Sequence, residues 1–429
     1  MKSSWLLFVF VGCVVCSESR TDAAGRSVAS ATNDSIVVAA QNPVQLLRQD
    51  EAVEIPLASL LNESRSFNVN SFFVTSAGKE IPSQLDNSSV DEKTERLLFL
   101  ASFGPDEKKS FVIHWAVGEN DKHSYSAMTQ ASLGVKVDYK KVNGYYAGGR
   151  FMDVDSVTVP SDHFAHDALY RIEGPGWESD KIVYRFYLDS RNRNDIFGKR
   201  THDLVLQKIG LNDLVSDSKE SYTQMLDWGM DIFKVGESLG IGSIAMWRDS
   251  KVVAVSDVGQ IKCRVLNGPI RSAVSTKYSG WKVGDSSYDL SDNVSISASS
   301  RLTKVNASVS DSSVYLCTGL AKHEGCDRLV SSEDSNGKWA YVALYGKQSL
   351  SGDNLGIAII YKKADKVILT EDSLSEIVVL RQTGSQLSYY FGAAWEKEPG
   401  GIINEGQFKD YLDETILKLD NPIEISFLK

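Results

Sequence analysis

Short runs of alternating apolar and polar residues follow one another along most of the chain. From about Ser35 to Asn120 they include SIVVAAQ, FNVNSFFVTS, ERLLFLASF and KKSFVIHWAV, each bounded by turn residues. A period of two residues puts every second side chain on the same face, which is typical of a β-strand with one buried face. The pattern predicts a small N-terminal β-sandwich or barrel over residues 35–122.

A longer series of such runs occupies residues 130–429. It includes LYRIEG, KIVYRFYLD, IKCRVLN, RSAVSTKYSG, KWAYVALY and LGIAIIYKK, without helical stretches between them. Only EGQFKDYLDETILKL has helical spacing, which places Phe408, Tyr411, Leu412 and Ile416 on one side. We therefore expect an all-β protein whose second domain is a large antiparallel β-sandwich, of the supersandwich, mutarotase-like or lyase-like kind, that carries the site.

The N-terminus has the pattern of a signal peptide over residues 1–17. One Lys precedes an apolar run from Trp5 to Val15, which is too short to cross a bilayer. Residues 18–34 are polar and are expected to form a disordered tether. Cys13 loosely fits a bacterial lipoprotein box, so the alternatives are lipidation of Cys13 and cleavage of the signal peptide without lipidation. We expect an exported protein, either periplasmic or tethered to the outer membrane of a bacterium through a lipidated Cys13.

Three cysteines follow the predicted signal peptide. Cys317 and Cys326 stand close together in VYLCTGLAKHEGC, and export favours oxidation, so we expect a disulfide between them. Cys263 alternates with Ile261 and Val265 and is expected to face the core. Beyond the signal peptide the sequence contains no CxxC pair and no HExxH motif. Neither a cofactor nor a metal site is predicted, although a divalent cation is left open.

The chain is acidic, with a formal charge of −10, but one stretch is basic. Residues 181–200 contain six basic side chains and two acidic ones, a local balance of +4. An acidic, exported chain is not expected to bind nucleic acid. The basic stretch instead predicts a surface on which an anionic partner docks.

A predicted strand inside this stretch, KIVYRFYLDSR, has two different faces. One face is apolar and is expected to be core, with Ile182, Tyr184, Phe186 and Leu188. The other face is polar and carries Lys181, Arg185, Tyr187, Asp189 and, just beyond the strand, Arg191. The polar face is either a cleft floor or a solvated face with cross-strand ion pairs. The flanking turns and a Trp177 that we expect to be exposed favour the cleft.

Three of the six histidines bracket this strand. His163 and His166 precede it in DHFAHD, and His202 follows it in KRTHD. The H-x-x-H spacing suits a metal ion, but no third ligand is predicted. Imidazole titrates near neutral pH, so each is a candidate general base or acid, with a structural role as the alternative.

A second polar group lies in LDWGMDIFKVGESLGIGSIAMW. Asp227 and Asp231 fall on one side, and Lys234 follows them. The glycines of GxxxGxG are interpreted as turn glycines, because no GK[ST] and no βαβ context accompany them. Trp177 and Trp228 stand in polar, glycine-containing segments and are candidates for stacking on sugar rings.

Four blocks, EGPGWESDKIVYRFYLDSRNRNDIFGK, LDWGMDIFKVGESLGIGS, VLNGPIRSAV and YYFGAAWEKEPGGI, resemble the signature of the family known as domain of unknown function 4861. The resemblance covers nearly the whole mature chain. It implies an oligosaccharide dehydratase of polysaccharide-degrading bacteria that acts on ulvan fragments. Such an enzyme removes water from a non-reducing-end glucuronate or iduronate and leaves a 4,5-unsaturated uronate. Where family members often carry a His before DWGMD, this chain has SYTQML, so the resemblance leaves the base open.

The implied reaction assigns roles to the candidate residues. Loss of the C5 proton develops negative charge beside a carboxylate, which Arg185, Arg191 or Lys199 would neutralise. His166 or His202 would be the base, and Tyr187 the acid or a proton relay. The remaining expected substrate-binding residues are Trp177, Asp180, Asp227, Trp228, Asp231 and Lys234. Two alternatives are a polysaccharide lyase that uses the same proton abstraction and a non-catalytic protein that binds anionic glycans.

Overall fold

A computed structural model describes residues 33–86, 95–116, 122–211, 221–332 and 336–428. The predicted signal peptide, Cys13 and nearly all of the predicted tether lie outside the described residues. Strands dominate the structure, so the all-β prediction is confirmed. Among the described residues, no helix is both long enough and apolar enough to span a membrane.

Two antiparallel sheets form a small sandwich at the N-terminal end. One contains, in spatial order with strands numbered along the chain, β31 (Glu424–Leu428), β1 (Asn33–Gln41), β7 (Lys108–Ala116), β3 (Phe72–Ser76) and β4 (Lys79–Ile81). The other contains β2 (Arg48–Pro56), β6 (Arg96–Phe103) and β5 (Ser83–Asp86), and the short helix α1 (Leu57–Glu63) follows β2. Val38, Val53, Phe99, Phe111 and Trp115 pack between the sheets.

The last strand of the chain belongs to this small sandwich. The sequence alone placed it in the large domain, but β31 pairs antiparallel with β1, from Val37 opposite Leu428 to Gln41 opposite Glu424. The chain therefore returns to its starting domain after building the large sandwich. Pairing between residues so far apart in sequence leaves no trace in a local hydrophobic pattern.

The large sandwich has one broad sheet facing two smaller ones. The broad sheet contains β13 (Ser156–Thr158), β20 (Gln260–Leu266), β21 (Arg271–Val283), β22 (Ser286–Ser297), β23 (Leu302–Val309), β30 (Leu387–Trp395), β27 (Leu355–Lys362), β26 (Trp339–Gly346) and β25 (Cys326–Val330). One smaller sheet contains β17 (Gly229–Asp231), β16 (Asn194–Lys199), β15 (Ile182–Phe186), β14 (Gly176–Ser179) and β8 (Thr129–Ser132). The other contains β19 (Lys251–Ala254), β18 (Ala245–Arg248), β24 (Tyr315–Ala321), β29 (Ser375–Arg381) and β28 (Lys366–Glu371).

Two short hairpins join the large sandwich. They pair β10 (Lys140–Val142) with β11 (Tyr145–Ala147), and β9 (Gly134–Val137) with β12 (Arg150–Asp153). Between the main sheets, Trp177 and Tyr184 pack with Phe391 and Trp395 in the main core. The antiparallel sandwich predicted for this part of the chain is confirmed.

The predicted C-terminal helix is confirmed as α2 (Glu405–Asp420), which covers the outer face of the broad sheet. The Asn404 side chain accepts a hydrogen bond of 2.9 Å from the Gln407 amide and caps the first turn. Phe408 and Leu412 are buried against the sheet, as their spacing predicts. A Cβ atom at Gly356 would lie 2.6 Å from the Phe408 ring, so the close approach of helix and sheet requires glycine there.

The predicted disulfide between Cys317 and Cys326 is wrong, because all three described cysteines are free. Cys317 lies in the middle of β24, whereas Cys326 begins β25 in the broad sheet, so the chain changes sheets between them. The Cys317 side chain packs with Leu239 and Val379, and burial raises the pKa of its thiol. Cys263 is buried in the main core, as predicted.

Candidate functional site

The candidate site lies on the outer face of the sheet that contains β15, β16 and β17. Arg185 of β15 stands directly opposite Asp195 of β16, and Asp231 of β17 stands opposite Phe197. Side chains of paired residues project to the same face of a sheet, and so do residues two apart on one strand. Pairing therefore collects an arginine and two carboxylates on the face turned away from Tyr184 and the main core.

Arg185 is the centre of this group and is 5% exposed. Its Nε and Nη2 donate to Asp195 Oδ2 at 2.9 and 2.6 Å, and Nη2 also donates to Asp231 Oδ2 at 2.7 Å. Nη2 lies 2.9 Å from the Tyr187 hydroxyl, which donates to Asp195 Oδ2 at 2.6 Å. One guanidinium thus holds two carboxylates and a phenol in fixed positions.

Aromatic rings surround the Arg185 guanidinium. Its central carbon lies 4.8 Å from the ring centroids of both Tyr187 and Phe197, and 5.4 Å from that of Tyr222. Rings at these distances stabilise a desolvated cation. Burial lowers the pKa of Arg185, but attraction to Asp231 and Asp195 outweighs it and raises that pKa well above the usual value.

Asp231 is the most perturbed carboxyl of this group. Burial first, and then repulsion from Asp195, raise its pKa to about 8, against the opposing attraction of Arg185. Two carboxylates that share one site rarely both ionise. Asp231 is therefore a neutral acid at pH 7.

Glu173 connects this buried group to the surface. Its Oε2 lies 3.5 Å from Arg185 Nη1, while its Oε1 lies 2.9 Å from Arg191 Nη2 and 2.5 Å from His166 Nδ1. His166 is 69% exposed, and its Nε2 has no hydrogen-bond partner among the described residues. A carboxylate that holds one ring nitrogen and leaves the other open is the arrangement that orients a histidine base. Here "the rim" denotes His166, Glu173 and Arg191.

Arg191 supplies a partly exposed cation at the rim. Its Nε and Nη2 bind Asp189, and its guanidinium lies 3.9 Å from the centroid of the Tyr187 ring. Among the described residues, none accepts a hydrogen bond from its Nη1. A ligand carboxylate has one open nitrogen to bind at this position.

The backbone around the rim is strained. His166, Ala168, Ile172, Glu173 and Asn192 have φ angles of 66°, 66°, 52°, 67° and 45°. Non-glycine residues in the left-handed region cost of the order of 1 kcal/mol each, and such strain concentrates at functional sites. Both members of the His166–Glu173 pair are held this way.

His163 does not join His166. Its Nδ1 lies 2.7 Å from Asp167 in a buried position, whereas His166 binds Glu173. Within the described parts of the chain, no three His, Cys, Asp or Glu side chains are grouped as metal ligands.

Two expected substrate-binding residues are fully buried, so those two predictions are wrong. Lys199 Nζ donates to Glu178 at 2.9 Å and to the Ser179 carbonyl at 2.7 Å, with both charged side chains inaccessible. Trp177, expected to be exposed, is buried in the main core and donates to Thr303 Oγ1 at 2.8 Å. Strands β14 and β16 are covered on both faces, so neither side chain reaches a ligand.

The other candidates fall outside the Arg185 group. His202 lies at the opposite end of β15, 3.6 Å from Asp180. Asp227 and Lys234 are exposed. Trp228 is half-buried, with its ring 6.2 Å from that of Phe197. Of the twelve predicted site residues, the structure brings together those at the rim and beneath it: His166, Arg185, Tyr187, Arg191 and Asp231.

The predicted cationic surface is also wrong. Lys199 and Arg185 are buried with acidic partners, Arg191 is paired with two carboxylates, and Arg193 donates to backbone carbonyls. Around Arg185 and Arg191 stand four carboxyl groups, those of Glu173, Asp189, Asp195 and Asp231. The local charge of +4 along the sequence is therefore neutralised in space.

Sequence reasoning missed Glu173, Asp195 and Tyr222. Alternation along NDIFGK places Asp195 on the same face as Phe197, so Asp195 could have been predicted from the strand pattern. Glu173 enters through an irregular turn at residues 171–173 that follows no period. Tyr222 stands in SYTQML, the segment where a family histidine was expected, and its ring faces Arg185.

The fold and the site define an all-β sandwich protein with a buried arginine–carboxylate group beneath an exposed histidine. The chain belongs to the family described as "Domain of unknown function (DUF4861)", whose model matches residues 40–425. It is 23% identical over 419 residues to "Uncharacterized protein P7" of Formosa agariphila, an alignment that covers 93% of this chain and 95% of that protein.

Two solved structures from Enterococcus faecalis resemble the fold at low identity. An α-mannosidase of strain V583 has 9% identity and a TM-score of 0.44, covering 92% of this chain and 46% of that one. A protein in the glycosyl hydrolase family 38 has 10% identity and a TM-score of 0.42, covering 92% and 47%. This chain thus spans slightly less than half the length of either.

Proposed function

We propose that this protein is an exported carbohydrate-active enzyme that removes water from the non-reducing-end uronic acid of an anionic, ulvan-type oligosaccharide. The observation that supports this proposal is the exposed His166 held by Glu173 above the Arg185 group. The reaction needs a positioned base, a cation for the carboxylate and a proton donor within one small site. The rim and the residues beneath it supply one of each.

His166 is the base in this proposal. Its Nε2 takes the proton from C5, and the C–H electron pair forms the C4–C5 double bond. Glu173 Oε1, which lies 2.5 Å from Nδ1, stabilises the imidazolium that results. Meanwhile Arg191 Nη1 binds the uronate carboxylate, on which negative charge develops as the proton leaves.

Tyr187 is the proton donor to the departing 4-hydroxyl, and its hydroxyl, which donates to Asp195 in the resting site, turns to the substrate for this step. The C4–O bond breaks, and the oxygen leaves as water with the phenolic proton. Burial raises the pKa of Tyr187, so the hydroxyl is protonated at neutral pH, while Arg185 opposes that shift and stabilises the phenolate. Proton return from the imidazolium to the phenolate restores the resting site, and the net change is the loss of one water.

The test uses His166→Gln, which keeps the size of the side chain and removes its basicity. Turnover is followed through the ultraviolet absorbance of the unsaturated uronate. The rate is expected to fall about 10²- to 10⁴-fold, the usual contribution of a general base. His123→Gln is the matched control, because His123 Nδ1 also pairs with a glutamate, Glu80 at 2.8 Å, but on the small sandwich. Full turnover by His166→Gln would exclude His166 as the base.

Two other outcomes would replace the proposed reaction. A polysaccharide lyase uses the same proton abstraction but expels a sugar, so its fragments sum to the mass of the parent. A non-catalytic glycan-binding protein would bind the oligosaccharide and give no unsaturated product with any uronate tested. The open Nε2 of His166 favours a catalytic site over pure binding.

A further inference from the structure

A groove lies on the side of the large sandwich opposite the Arg185 group. It holds about 480 Å³ and is bounded by β2 of the small sandwich, helix α2 and the outer face of the broad sheet. Tyr390 lines it, whereas its neighbours Tyr389 and Phe391 point into the main core, because successive side chains of a strand alternate. The groove is therefore separated from the Arg185 group by the thickness of the core.

Arg96, Arg271 and Lys304 line this groove together with Glu54. Glu54 Oε1 lies 2.6 Å from Arg271 Nη2, and Glu54 Oε2 lies 3.3 Å from Arg96 Nε. Arg271 also binds Asp86 at 2.8 Å. Against the effect of burial, attraction to Arg271, Lys304 and Arg96 lowers the pKa of Glu54 to about 2, so it is ionised at neutral pH.

Lys304 makes no direct ion pair with any described residue, although Glu54 and Asp86 lie close enough to attract it. Among the described residues, no carboxylate oxygen lies within 4.0 Å of its Nζ, while Arg271 and Arg96 stand close enough to repel it. Burial is the largest cause that lowers the pKa of Lys304, and repulsion from Arg271 and Arg96 lowers it further. Attraction to Glu54 opposes both effects. A half-buried ammonium that makes no direct ion pair can take up an anionic group.

Lys304 is not required to join the two sandwiches. That contact already has the Arg271 ion pairs to Glu54 and Asp86, and Gln84 of the small sandwich accepts from the backbone amide of Arg271 at 2.9 Å. The Lys304 stem instead crosses the groove wall, with Nζ 6.0 Å from the Tyr390 ring centroid.

Aromatic surface lies beside this cation. The rings of Tyr390 and Trp339 meet edge to face at 5.3 Å, and both line the groove together with Tyr411. Pockets of a few hundred Å³ that combine aromatic walls with a few charged groups are typical sites for small ligands. An anionic sugar matches both features, since its ring packs on an aromatic face while its anionic group binds the ammonium.

We propose that this groove binds an anionic oligosaccharide, with a carboxylate or sulfate on Lys304 and a sugar ring against Tyr390, at a site separate from His166. The inference rests on the groove alone and does not depend on the reaction proposed for the rim. It gives the protein a second means of holding an anionic glycan.

The test is titration calorimetry with Lys304→Gln in a His166→Gln background, which prevents conversion of the probe. The probes are a glucuronate-terminated oligosaccharide, a sulfated one and a neutral one of the same length. Loss of one charge-assisted hydrogen bond is expected to weaken binding of one of the anionic probes about tenfold. Lys304→Arg is expected to restore it. Lys277→Gln, the same charge change at an exposed position of β21 outside the groove, is the control and is expected to bind normally.

The anionic probe that loses affinity identifies the group that Lys304 binds. Affinity unchanged by Lys304→Gln, equal binding of the neutral probe, or no binding of any probe would overturn the inference. Tighter binding of a single-stranded DNA of equal charge would also overturn it. Turnover of short substrates by the single variant Lys304→Gln is expected to stay normal, so a failure here is distinguishable from a failure of the reaction proposed at the rim.

Discussion

Replacing Asp231 by Asn is expected to remove a specific pH dependence of stability. In the folded protein the pKa of Asp231 is about 8, whereas in the unfolded chain it returns to about 4. Below pH 4 the carboxyl is protonated in both states and its stabilising effect is complete. As the pH rises above 4, the unfolded chain ionises while the folded protein keeps its proton, so stability falls by about 1.4 kcal/mol per pH unit until about pH 8.

The shift of about four units corresponds to about 5 kcal/mol over the whole range, and to about 4 kcal/mol between pH 5 and pH 8. The amide introduced by Asp231→Asn has no proton to lose, yet its carbonyl still accepts from Arg185. The free energy of unfolding is measured by urea denaturation at several pH values for both proteins. The free energy of unfolding of the variant minus that of the native protein is expected to rise by about 5 kcal/mol between pH 4 and pH 8. The other titrating groups are common to both proteins, so their contributions cancel in this difference. A difference that stays constant with pH would refute a neutral Asp231.

Three further measurements test the fold. Lys199→Met leaves Glu178 buried without its cation and is expected to cost about 3–5 kcal/mol in urea denaturation, whereas an unchanged free energy would contradict the buried pair. Reducing agent is expected to leave the melting temperature unchanged, because Cys317 and Cys326 are free; a lower temperature would indicate a disulfide. Asn404→Ala removes the cap of α2 and is expected to cost about 1 kcal/mol, and no loss would mean that the cap contributes nothing.

The architecture was largely predictable because burial imposes local periods. Alternation along KIVYRFYL placed Tyr184 in the core, and the spacing of Phe408 and Leu412 predicted α2 and its buried side. Cys263 was assigned to the core by the same rule. The disulfide failed because closeness in sequence says nothing about which sheet each strand joins, and Cys317 and Cys326 lie in different sheets.

The site was only partly predictable because its members come from distant segments. The strand pattern placed Arg185 and Tyr187 on one face, and the two side chains are in contact. It did not show that Asp231 pairs onto that face through β17, or that a strained turn carries Glu173 to Arg185. Counting charge along the chain also misled, because Lys199 is neutralised by Glu178, which lies on another strand.

Removal of water from a terminal uronate at the rim above Arg185 can be followed by mass spectrometry of a glucuronate-terminated, ulvan-type oligosaccharide after incubation with the protein. A single product lighter than the substrate by one water is expected from the native protein and not from His166→Gln. Two fragments whose masses sum to the parent, or an unchanged substrate, would show that the rim does not catalyse this reaction.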